Sequence, residues 1–114
     1  MASTLNKNTI LQTIATHKKQ LVSYGVIKIG LFGSFASNEA NENSDVDILV
    51  DIVKEKKTFQ NFMTLNYYLE DLFGRKVDLI TLQSLSPYIG PHILKSTEYV
   101  SIADWIFTSH SWWV

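Results

Sequence analysis

The sequence predicts one small α/β (α+β) domain in which helices flank a single mixed β-sheet. Three observations carry this expectation. The chain has 114 residues, 46% of them hydrophobic and 18% charged, enough for one core and too few for a second. Apolar positions at helical spacing alternate with short β-branched runs in the order helix, strand, strand, helix, strand, helix, which packs helices onto a sheet. No segment repeats another, so residues 1–114 read as a single domain.

The first helix is expected over residues 8–23, where Ile10, Leu11, Ile14, Ala15, Leu21 and Val22 recur as one apolar face, with Asn6 or Asn8 available to cap it. Tyr24-Gly25 breaks it. Residues 26–32 are apolar and β-branched with little alternation, as in a strand covered on both faces. A polar, Asn-rich stretch over 37–44 leads to a second strand at 45–52, where Val46, Ile48, Val50 and Ile52 alternate with Asp45, Asp47, Leu49 and Asp51. A charged turn at 54–57 precedes a long helix carrying Phe59, Phe62, Met63, Leu65, Leu69, Leu72 and Phe73 and stopping at Gly74. Phe59, Phe62, Tyr67, Tyr68 and Phe73 read as core and helix-face residues. A third strand is expected at 76–81, a short helix within 88–95 with Pro91 near its start, and an edge strand at 98–102.

Composition narrows the function. There is no cysteine, so disulfides and thiolate metal sites are excluded. Ten Lys and Arg stand against eleven Asp and Glu, without the basic stripe that binds nucleic acid through counterion release. The polar N-terminus does not resemble a secretory signal, and no apolar run approaches the roughly 20 residues that cross a bilayer. A cytoplasmic protein without membrane attachment is expected. His17, His92 and His110 lack zinc-ligand spacing.

The chemistry is concentrated in five residues. Asp45 and Asp47, two apart on a strand, leave the same face with α-carbons roughly 6.5 Å apart. Asp78, inside the apolar run Val77, Leu79, Ile80, can add a third carboxylate from an adjacent strand. Clustered ionised carboxylates call for a cation, and magnesium, which takes hard oxygen ligands together with substrate phosphates, is the natural candidate, with ATP completing its shell. Gly33-Ser34, directly after the first strand, lets backbone approach a phosphate and adds a hydroxyl donor; alone, the pair also fits a strand-ending turn. Asp51 lies roughly 13 Å beyond Asp47 along the strand and is excluded, as are Glu39, Glu42, Glu70 and Asp71, which read as solvated.

At these residues the chain resembles the DNA polymerase β-type nucleotidyltransferase superfamily, specifically its minimal nucleotidyltransferase (MNT) antitoxin branch. The resemblance runs from about Val26 to Val100 and rests on GSFASNEANENSDVDILVDI, GRKVDLIT and LSPYIGPHIL. It implies that Gly33 and Ser34 hold the triphosphate, that Asp45 and Asp47 bind two magnesium ions, and that Asp78 completes the second metal site or acts as base. It further implies transfer of AMP from ATP to a tyrosine hydroxyl of a cognate HEPN-domain toxin. A second copy of the chain is another candidate partner.

The chain departs from the family pattern at Ser37 and Asn38, where relatives often carry Arg-Gly, and at Gly90 and His92, where basic residues are common. Lys28, Arg75 or Lys76 are the candidates to replace that charge. Two other readings keep the fold: an antitoxin that binds and occludes without turnover, and an enzyme that modifies an aminoglycoside-like small molecule. Residues 101–114 form an aromatic tail with Trp105, Trp112 and Trp113, expected to pack on the domain or mark an interface.

Overall fold

The computed structural model describes residues 5–88 and 90–102; the tail at 105–114, including His110, lies outside the described residues. Helix α1 spans Lys7–Thr16 and α2 spans Lys18–Ser23. Asn6 caps α1 through a reciprocal box: its side chain accepts from the Thr9 amide, and the Thr9 hydroxyl oxygen accepts from the Asn6 amide, both at 2.9 Å.

The single helix expected over 8–23 is therefore divided, and His17 is the reason. Its Nδ1 lies 2.7 Å from the Thr13 carbonyl, the acceptor its own amide would use in a continuous helix. The Thr16 hydroxyl donates to the same carbonyl, and the His17 amide turns instead to Ile14 O. Side-chain competition for a backbone acceptor tightens the turn without glycine or proline.

Strands β1 (Val26–Phe32), β2 (Val46–Ile52), β3 (Val77–Thr81) and β4 (Glu98–Ser101) form one mixed sheet in the order β3-β2-β1-β4. β1 runs antiparallel to β2 and β4, while β2 and β3 are parallel. A parallel pair needs a crossover connection, supplied by α4 (Phe59–Phe73). Thr58 caps α4 at its start, and Gly74 ends it in the left-handed conformation at φ +62°.

Alternation along β2 divides the sheet. Val46, Ile48, Val50 and Ile52 are buried with Ile10, Ile14 and Leu21 from α1 and α2 and with Leu65, Leu69 and Phe73 from α4. Asp47, Leu49 and Asp51 face the other side. The core thus fills the helical side and leaves the opposite face to carry chemistry. Among the aromatic residues of α4, Phe73 is buried and Phe62 and Tyr68 pack on the core, whereas Phe59 and Tyr67 are exposed. Among the described residues, no helix is long and apolar enough to cross a membrane.

Candidate active site

The site is built where β1 ends beside the start of β2. Phe32, the last residue of β1, pairs with Asp47, and the chain then turns into the one-turn helix α3, Gly33–Ala36. Gly33 has φ +71°, and a Cβ added there would fall 2.1 Å from Oδ2 of Asp47. No other residue fits that position without moving the carboxylate. Ser34 follows, half-buried.

The end of α3 explains one departure from the family pattern. Asn38 adopts φ +62°, and the Glu39 amide donates to Ser34 O at 2.8 Å while the Asn38 amide turns to Phe35 O. This is a Schellman closure, whose left-handed position takes Gly or Asn. Asn38 thus performs the backbone role of glycine, although the neighbouring Ser37 brings no cation.

Asp47 and Asp78 stand opposite each other in the parallel β2–β3 register, and Asp45 lies two residues before Asp47 at the mouth of β2. Asp47 is half-buried, Asp45 and Asp78 exposed. Burial, then the charge of Asp78, then that of Asp45 push the Asp47 carboxyl up to about 6. Among the described residues, no Lys, Arg or His lies within ion-pair distance of the three; the ion pair found there joins Lys7 to Glu98, at 3.5 Å.

The three aspartates share a field without closing on a point. Among the described residues, no three acidic or histidine side chains are gathered closely enough to hold an ion, so the convergence anticipated from strand geometry is incomplete. Mutual repulsion favours this arrangement: two of the three carboxylates remain in water, and Asp47 alone is drawn into the fold.

The candidate cations are placed differently from one another. Arg75 is engaged by the fold: its Nη1 donates to Ser44 O at 2.7 Å and Asn41 O at 3.2 Å, and its guanidinium lies 5.6 Å from the Phe35 ring centre. The Lys28 ammonium sits 4.9 Å from the centre of the Tyr99 ring. Lys76 is exposed, and its carbonyl accepts from the Val46 amide at 2.9 Å. His92 and Pro91 are exposed on α5, Gly90–Ser96.

Other side chains have duties that the sequence did not reveal. Glu70, expected to be solvated, accepts from the Val77 amide at 3.1 Å and fastens the end of α4 to β3. Asp51 stays apart from the aspartate cluster as expected, accepting from Gln83 at 3.3 Å. It borders a cavity of about 160 Å³ farther along the same face, lined also by Lys28, Leu49, Leu82, Leu94 and Tyr99. No periodicity announces such a space, because its walls come from five separate elements.

Comparison with known proteins places this geometry. Residues 11–100 match the model of the nucleotidyltransferase domain family. The protein adenylyltransferase MntA of Thermococcus cleftensis is 42% identical over 97 residues, covering 84% of this chain and 97% of that protein. A solved minimal nucleotidyltransferase superimposes with a TM-score of 0.74 at 27% identity, covering 85% of this chain and 98% of its own. The fold is also shared, at a TM-score of 0.51 and 19% identity, with a chain of the complex between a tri-AMPylated Shewanella oneidensis HEPN toxin and its MNT antitoxin, covering 75% of this chain and 69% of that one.

Proposed function

The chain belongs to the nucleotidyltransferase domain family, and from that premise we propose that it transfers AMP from ATP to a tyrosine hydroxyl of a cognate HEPN-type toxin, acting as the antitoxin of the pair. The observation that carries this reading is the packing of Gly33 against Asp47, with Asp78 opposite on the adjacent strand. It puts a turn suited to phosphate beside a cluster of uncompensated carboxylates. The adenylyltransferase name of the Thermococcus relative supports AMP as the group moved.

By its chemistry the donor set, carboxylates that have not closed on a common point, fits a hard divalent cation that would draw them together. Among the described residues the three carboxylates have no Lys, Arg or His within ion-pair distance, and burial, then the charges of Asp78 and Asp45, hold the Asp47 carboxyl up at about 6. Asp45, Asp47 and Asp78 would hold magnesium, two ions in this reading. Bound magnesium supplies charge neutralisation for the triphosphate and acidifies an acceptor hydroxyl.

The chain's own residues then have distinct tasks. Gly33 lets the backbone of α3 approach the triphosphate, and the Ser34 hydroxyl donates to a phosphate oxygen. The acceptor oxygen attacks the α-phosphorus, the bond from that phosphorus to the bridging oxygen breaks, and pyrophosphate leaves. Asp78 takes the proton of the acceptor hydroxyl. A tyrosine, with an ordinary pKa near 10, needs such help at neutral pH.

Pyrophosphate release tests the reaction. With magnesium and ATP, release is expected only when the HEPN partner is added, and the Asp47→Asn variant should fall by a factor of roughly 10² to 10⁴. Release at the same rate from wild type and Asp47→Asn would remove Asp47 from the chemistry.

A further inference from the structure

We propose that Arg75 is the positioning residue of the transfer site, holding the Asp45 loop against the α3 turn; the inference rests on the function argued above. Nη1 of Arg75 donates to the carbonyls of Asn41 and Ser44, and Ser44 immediately precedes Asp45. The guanidinium carbon lies over the ring of Phe35, one residue after Ser34, at 5.6 Å from its centre. Arg75 also lies three residues before Asp78, at the entry to β3. One side chain therefore joins the three segments that bring phosphate-binding backbone and carboxylates together.

The loop it holds is anchored at its ends, by Ala40 packed on the core and by the Val46 amide donating to Lys76 O. Its internal bonds are short-range: the Ser44 amide donates to Asn41 O, the Asn41 amide to the Ser44 hydroxyl and the Asn43 amide to the Asn41 side chain. These shape a turn between the two anchors, and the bonds from Arg75 tie that turn to the segment that enters β3. Asn41, Glu42 and Asn43 are exposed, whereas Arg75 is half-buried. A guanidinium meets this need because a single terminal nitrogen carries two N–H groups, one for each carbonyl, while the delocalised cation lies over an aromatic ring.

The arrangement has an electrostatic consequence. A cation placed here to neutralise the aspartates would compete with the metal they are built to hold. Arg75 instead directs its donors to backbone carbonyls, and Asp45, Asp47 and Asp78 keep their charge for an added ion. Groups that orient metal ligands commonly change metal affinity by 10–100-fold when removed. Arg75 acts on Asp45 in this way through the Ser44 carbonyl.

Mn²⁺ binding to the intact protein, together with amide hydrogen exchange, tests this without relying on turnover. Arg75→Ala should weaken Mn²⁺ binding at least about tenfold and speed exchange at 41–46. Exchange in the core strand residues Ile29, Leu31 and Ile48 should be unchanged. Arg75→Lys, which keeps the charge and loses the planar guanidinium over Phe35, should recover only part of the affinity. Wild-type Mn²⁺ affinity in folded Arg75→Ala, or faster exchange spread evenly through the core, overturns the inference. A wild-type protein that binds Mn²⁺ and never transfers AMP contradicts the proposed function, while the Mn²⁺ comparison still decides the role of Arg75.

Discussion

Gly33 presses its bare α-carbon against the carboxylate of Asp47, so that even a methyl group would fall 2.1 Å from Oδ2. Strand pairing makes this contact obligatory, because Phe32 and Asp47 are register partners and Gly33 is the next residue along. Gly33→Ala introduces both that clash and a side chain at φ +71°. The strained backbone alone costs about 1–2 kcal/mol. The variant should lose that much stability in urea titration and nearly all transfer.

Asp47 makes the fold sensitive to pH in a definite direction. Its folded pKa, about 6, lies above the ordinary value of 3.8, so the unfolded chain releases this proton more readily than the folded one. The destabilisation is absent below about pH 4, grows as pH rises, and is complete above about 6. Without metal, Asp47→Asn should therefore melt above wild type at pH 7.5, and the gap should close by pH 4. Magnesium should raise the wild-type melting temperature and leave that of the variant nearly unchanged.

Position along the open face should separate Asp78 of β3 from Asp51 of β2. Asp78→Asn is expected to slow transfer by roughly 10² to 10⁴ with little change in the KM for ATP. Asp51→Asn, on the same face but bonded to Gln83, should stay within about twofold of wild type. Steady-state kinetics on the two variants measures both.

Asn38 predicts a contrast in stability alone. Its left-handed conformation closes the end of α3, so Asn38→Ala should cost about 1 kcal/mol and Asn38→Gly almost nothing. Urea denaturation of the two variants gives the comparison.

Much of the architecture was legible because its signals are local. The apolar spacing from Phe59 to Phe73 and the stop at Gly74 mark α4 residue for residue, and the β-branched run marks β1. The alternation in β2 also put Asp47 on the face opposite the core. Non-local effects escaped. The break at His17 depends on an imidazole reaching a carbonyl one turn back, and the duty of Glu70 on where β3 happens to begin. Arg75 looked like a free cation because nothing in the sequence says that the carbonyls of Asn41 and Ser44 will fold onto it. The register of Asp47 with Asp78 needed the sheet itself, since spacing alone does not say which strands pair.

The central claim is group transfer to a protein partner, and intact-mass analysis of that partner measures it most directly. The HEPN-type toxin is incubated with this protein, ATP and magnesium, in parallel with the Asp45→Ala, Asp47→Ala double variant. A gain in mass equal to one or more AMP groups, confined to the protein with intact aspartates, is the predicted result. A partner that binds tightly and shows no added mass would contradict transfer and leave an antitoxin that works by occlusion.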